Sequence, residues 1–177
     1  MATENLQDML VDELRDLYDA ERQLTKAIPK MVKAATDPVL KAGFSEHLDQ
    51  TKAQVARLEQ CFEMLGIKPR GKPCSGMKGI VEEGQEMMEQ RLSKNLMDVA
   101  LAGAARRVEH YEMAAYDATI AMAKALGLGD IANLLTETLH EEVQTDRRLT
   151  TAGKTLLRSA AAEQSSEPEP PRTKRAS

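Results

Sequence analysis

Carboxylates interrupt the apolar stripes of this chain at positions that should face a core. Between residues 10 and 31 the apolar side chains step by three or four: Leu10, Leu14, Leu17, then Glu21, then Leu24, Ile28 and Met31. That step marks a helix packed against other helices. The stretch 131–156 repeats it with Ile131, Leu135, Thr138, Glu142, Thr145, Leu149, Ala152 and Leu156. A lone carboxylate in a helical core costs several kcal/mol unless it is paired or stays protonated. The acids therefore need partners, and the pattern offers each other plus a cation.

The rest of the composition bounds what such a chain can be. Its 177 residues fit one domain, and a hydrophobic share of 42% supplies a core. Good helix formers dominate and runs of β-branched residues are absent, so the expected class is all-α. A net charge of −4 argues against a nucleic-acid partner, which would require a basic face. Cys61 and Cys74 make neither a disulfide framework nor a zinc motif. No apolar leader and no membrane-length stretch are visible, so a soluble protein of the reducing cytoplasm is expected, with no membrane partner.

Four long helices and one short one are legible. The first covers about residues 3–35, with Thr3 as its candidate cap and Pro29 expected to kink or loosen its last turns. Thr36-Asp37-Pro38 is a turn, and Pro38 suits the first position of a helix over about 38–65 that stops at Gly66. Residues 66–75 are a glycine- and proline-rich loop, followed by a short helix at about 76–91. The third long helix spans about 93–126, with a turn at 126–130, and the fourth about 130–160. Short connections within each pair make two antiparallel hairpins, and the long middle link makes a crossover. That describes a ferritin-like four-helix bundle over residues 1–160. Residues 161–177, polar and proline-rich, read as a disordered tail.

Every long helix carries a polar break in its stripe. The second has His47, Thr51 and Gln54; the third has Glu109, Glu112 and Tyr116. At about 1.5 Å per residue, Glu21, Thr51, Gln54, Glu112, Glu142 and Asp146 all lie roughly 20–27 Å from their turns. If the two turns lie at corresponding ends, Glu21, Glu109, Glu112 and Glu142 form one layer, with Asp146 at its margin. Glu109 and Glu112, three apart, face the same way. Carboxylates that close coexist only by sharing protons or surrounding a cation. Iron or manganese fits such oxygen-rich donors, as one ion or two, with zinc or magnesium behind them; the layer can also stand empty.

Other polar residues are weighed against the same layer. His47 sits four to seven residues off it and becomes a ligand only if the layer tilts; ordinary core packing is the commoner fate of such a histidine. His110 points about 100° away from Glu109, and His140 shares a face with Asn133 and Glu137 that should meet solvent. Tyr18 and Tyr116, one turn from Glu21 and Glu112, could hydrogen-bond carboxylate oxygens. Cys74, just before the short helix, could hold a modestly stabilised thiolate.

The strings DELRDLYDAERQL, EHLDQTKAQVARLEQCFEMLG, RRVEHYEMAAYDA and LHEEVQTDRRL, with the KPCSGMKGIVEEG crossover, resemble the YciE/YciF family of bacterial ferritin-like stress proteins over nearly all of residues 5–155. The resemblance implies a ferritin-like bundle, a homodimer and a role in stress, without a defined biochemical activity. Related bundle proteins carry two metal ions between their helices, the pair held together by a lone glutamate on each of two helices and a Glu-x-x-His on each of the other two. Glu21 and Glu112 match the lone glutamates. Thr51-x-x-Gln54 and Glu142-x-x-Thr145 stand at the paired positions, so both histidines and one glutamate are missing.

Two function classes follow. One is a metal-binding stress protein handling iron or peroxide, with Glu21, Glu109, Glu112 and Glu142 as ligands and Asp146 and His47 behind them. The other is a non-catalytic structural or interaction protein whose acids form a metal-free, hydrogen-bonded layer with partners such as Arg57 or Arg106. A storage cage is a third assembly, disfavoured by the dimer that the resemblance implies.

Overall fold

The computed structural model describes residues 4–166, and these fold into five helices: α1 (Leu6–Ala34), α2 (Pro38–Met64), α3 (Ser75–Met88), α4 (Lys94–Ala125) and α5 (Gly129–Ser166). Local chemistry sets their starts. The Asn5 side chain accepts from Asp8 N at 2.9 Å and opens α1. Asp37 accepts from Leu40 N at 2.8 Å, with Pro38 in the first turn of α2. Ser93 caps α4. Gly66 and Gly127 take φ of 66° and 72° just beyond α2 and α4, the left-handed geometry that releases a helix end. The predicted cap Thr3 lies outside the described residues. So do residues 167–177 of the predicted tail, but 161–166 continue α5 and correct the predicted boundary at 160. Pro29 does not end α1, which runs on to Ala34.

The long helices occupy the corners of a square. Helix α1 packs on α2 and α4, α5 packs on α4 and α2, and α3 lies across α1 and α4. This is the two-hairpin, ferritin-like bundle that the connection lengths predict. The hairpin turns, however, lie at opposite ends. Asp98, near the start of α4, accepts from Thr36 N (2.8 Å), Thr36 Oγ1 (2.6 Å) and Asp37 N (2.9 Å). The α1–α2 turn is thus tied to the end of the bundle farthest from the α4–α5 turn. The polar layer forms all the same, because its residues lie near mid-helix and are about equally far from either end.

Two apolar cores flank that layer. One joins Leu10, Leu14, Phe62, Ile120 and Leu135; the other joins Leu24, Ile28, Phe44, Leu101 and Leu149. The crossover is pinned to the bundle by polar contacts. Cys74 N donates to Asp19 Oδ2 (2.8 Å), and the Tyr111 hydroxyl lies 2.9 Å from Cys74 Sγ and donates to Asp16 Oδ2 at 3.0 Å. Burial, then Asp16, pushes the Cys74 thiol above its ordinary value despite the tyrosine's opposing effect, so the stabilised thiolate read from sequence is not what the fold provides. Cys61 is pushed up to about 11 by burial.

Gly76 sits hard against this network. A Cβ there would lie 2.6 Å from the Tyr111 ring. The ring is held by two polar partners and cannot swing away freely. Gly76→Ala should therefore destabilise the protein by about 1–3 kcal/mol in urea unfolding, outweighing the gain in helix propensity. An unchanged midpoint would show that Tyr111 has room to move.

Candidate metal centre

Mid-bundle, the helices present polar side chains to one another where their neighbours are apolar. Helix α1 contributes Glu21, α2 contributes His47, Thr51 and Gln54, α4 contributes Glu109 and Glu112, and α5 contributes Glu142; all are buried. Four of them converge: one donor atom each from His47, Glu109, Glu112 and Glu142 lies within 4.8 Å of the other three. His47 Nε2 is 3.3 Å from Glu109 Oε1. Glu109 and Glu112 reach the same point because they are one helical turn apart.

Glu21 adjoins this group. Its Oε1 accepts from the Tyr116 hydroxyl at 2.6 Å, and its charge acts on Glu112. Burial first, and then the neighbouring carboxylates, push Glu21, Glu109 and Glu112 well above the usual carboxylate range. For Glu21 the tyrosine bond works in the opposite direction without overcoming burial. Protons or a cation are needed to hold the layer together.

The layer is underbonded. Glu112 has no hydrogen-bond partner on either oxygen, Glu21, Glu109 and Glu142 each have one bare Oε2, and neither ring nitrogen of His47 makes a hydrogen bond, Nε2 having only its 3.3 Å contact with Glu109. Buried polar atoms are normally satisfied. Bare, inward-facing carboxylate oxygens beside an imidazole form a hard-to-borderline donor set suited to a divalent first-row cation. The residues present fit such an ion.

Neighbouring groups hold the ligand candidates in place. Gln54 Nε2 donates to Glu142 Oε1 and, at 3.0 Å, to Glu141 Oε2. Arg57 grips Glu141 with two bonds of 2.6 Å and donates to Thr138 at 3.2 Å. Burial works to raise the Glu141 carboxyl, but the bonds from Arg57 and Gln54 outweigh it and hold it below the usual range.

Of the six candidates named from sequence, the fold gathers Glu109, Glu112, Glu142 and His47, and places Glu21 alongside. Asp146 turns away to Arg106 Nε at 2.7 Å, with His110 Nε2 at 3.3 Å. Tyr116 bonds the layer, whereas Tyr18 donates to Glu59 at 2.8 Å and does not. Gln54 orients Glu142, a role that its position one turn from Thr51 only hinted at.

The chain matches the family described as DUF892, a domain of unknown function, over residues 5–162. It belongs to that family. It is 38% identical to YciF of Escherichia coli (strain K12) over 151 residues, spanning 85% of this chain and 91% of that protein. The crystal structure of the E. coli stress protein YciF superposes with a TM-score of 0.85 at 36% identity, covering 88% of this chain and 99% of that one. YcfI of Rhodopseudomonas palustris, provisionally described as a structural protein, superposes with a TM-score of 0.83 at 40% identity, over 85% and 98% of the two chains. The family read from the sequence strings is thereby shown, and these two solved structures share this bundle closely. Among the described residues no helix is long and apolar enough to cross a membrane.

Proposed function

We propose that this protein is a metal-binding, ferritin-like stress protein that holds one or two divalent ions, iron or manganese before zinc, between its helices. The observation that carries the reading is the set of bare oxygens and nitrogens on His47, Glu109, Glu112 and Glu142 within reach of one another. These four would hold an ion, with Glu21 the next carboxylate available. A bound redox metal would supply electron transfer to oxygen or peroxide, as suits a relative of a stress protein. This chain's own residues set the stage: the two apolar cores exclude water, Gln54 orients Glu142, and Tyr116 fixes Glu21. A homodimer in a reducing cytoplasm completes the reading, consistent with two buried free cysteines.

Protein purified without chelator or a metal-binding tag should contain about one ion or more per chain, and Fe(II) or Mn(II) should raise its Tm. Less than about a tenth of an ion per chain, with no thermal response, would defeat the proposal.

One feature favours the alternative, a metal-free structural layer. The usual Glu-x-x-His partners are replaced by Thr51 and Gln54, and Gln54 donates a hydrogen bond to Glu142 Oε1. A Glu21→Gln/Glu112→Gln double variant separates the two readings. Loss of bound metal and of stress protection supports the metal site. Higher stability with no phenotype supports the structural layer.

A further inference from the structure

Bond lengths limit how many cations the carboxylate layer can hold. A divalent first-row ion stands about 2.0–2.2 Å from its nitrogen and oxygen ligands, so opposite donors around one ion lie roughly 4–4.4 Å apart. Paired ions sit about 3.5–4 Å from each other, which puts the outermost donors of a pair roughly 8 Å apart. One donor atom from each of His47, Glu109, Glu112 and Glu142 falls within 4.8 Å of the other three. That spread matches the shell of a single ion. Among the described residues it is the one group of three or more such side chains that converge this closely, and Glu21 is not in it.

A second ion would have to use what the first leaves. On the α1 side that is Glu21. Its Oε1 accepts from the Tyr116 hydroxyl at 2.6 Å, and only Oε2 is bare. Tyr116 is fully buried, so pulling the carboxylate away would strand a hydroxyl that no water reaches. The α2 side offers little more. The Thr51 hydroxyl donates to His47 O at 2.9 Å within its own helix. Gln54 Nε2 donates to both Glu141 and Glu142, which fixes the amide with its bare oxygen turned away from those carboxylates. The second ion is left with Glu21 Oε2, a shared oxygen of Glu112 and no imidazole.

We infer that the layer is a one-ion site built from His47, Glu109, Glu112 and Glu142, and that the Tyr116 hydroxyl withholds Glu21 from a second ion. The inference rests on the metal-site reading and narrows it. The paired centre of related bundles gives way here to one ion with a hydrogen-bonded carboxylate beside it. Tyr116 sets the ion count without touching the ion.

Native mass spectrometry of the full chain, desalted after incubation with excess Mn(II), should show one ion per chain. The EPR spectrum in frozen solution should be that of an isolated Mn(II), without the spin coupling of a pair. Glu21→Gln should keep the ion and change its affinity less than about threefold. Glu112→Gln should weaken binding at least about tenfold. Tyr116→Phe keeps the ring and frees Glu21 Oε1, so it should admit a second ion and give a coupled spectrum. Two ions in the parent, or a Glu21→Gln variant that binds more than about threefold more weakly, overturns the inference and leaves the metal-site reading standing. A folded Tyr116→Phe variant that still stops at one ion also overturns it. The parent count and the Glu21→Gln affinity decide even if that variant does not fold. A parent that takes up no ion removes the metal-site reading and the inference together.

Discussion

Metal-free protein should lose thermal stability as the pH is raised from about 5 to about 8, the reverse of most acid-sensitive folds. Glu21, Glu109 and Glu112 have an ordinary value of 4.5 and are held well above it, first by burial and then by one another. In the unfolded chain they ionise near the ordinary value. In the folded chain they keep their protons to higher pH. Their stability contribution is therefore complete below 4.5 and drains away as pH rises toward the folded values. Each proton that the fold retains and the unfolded chain has lost costs about a tenfold factor in the folding equilibrium per pH unit. The three groups titrate as one coupled set, so the decline should be broad. Glu141 acts with the opposite sign: its lowered value, set by Arg57 against the effect of burial, gives stability present above 4.5 and lost below it. The two trends meet in a maximum near pH 5.

A cation should invert the profile, because it takes the place of the protons and binds the ionised carboxylates. Melting curves with chelator, and with Mn(II), at pH 5 and 8 test both halves. The chelated protein should melt lower at pH 8, and Mn(II) should restore more at pH 8 than at pH 5. Glu112→Gln, which keeps shape without charge, should flatten the chelated profile and raise the Tm at pH 8. A chelated Tm that climbs between pH 5 and 8 would mean that the layer is not desolvated as its geometry implies.

The stepping of apolar residues revealed the bundle because a helix in a two-hairpin architecture must bury one stripe, and that stripe is written at a period of 3.6 residues. The same register exposed Glu21 and Glu142 as intruders, and the spacing of three exposed Glu109 and Glu112 as a pair. What register does not encode is lateral reach and competition. His47 lies off the layer by residue count, yet its ring extends toward Glu109 and closes the gap. Asp146, one turn beyond Glu142, has the right height, but Arg106 stands opposite and takes it. Tyr18 and Tyr116 look equivalent by spacing; Tyr18 is drawn to Glu59 and only Tyr116 reaches inward. The relative direction of the two hairpins was likewise hidden, because a central layer is compatible with either arrangement. Asp98 resolves it, although in sequence it is an ordinary acid in the early turns of a helix.

Asp98→Ala should be among the most damaging single substitutions outside the carboxylate layer, with an expected loss of about 2–4 kcal/mol. The side chain is 1% exposed and accepts three hydrogen bonds from residues 61 and 62 positions away. Two come from the backbone N–H groups of Thr36 and Asp37, which have left α1 and not yet entered α2. Removing the acceptor strands those donors, and an unsatisfied donor costs more than the net value of its bond. The damage should also spread, because Asp98 joins the first hairpin to the second at the end where Leu40, Phe44 and Leu101 form their core. Asp98→Asn keeps one acceptor oxygen of similar shape and should lose about half as much. Urea unfolding of the two variants beside Asp117→Ala, an exposed acid on the same helix, separates the anchor from a generic loss of charge; the control should stay within about 0.5 kcal/mol of the parent. Equal effects at positions 98 and 117 would show that the turn holds its place by packing alone.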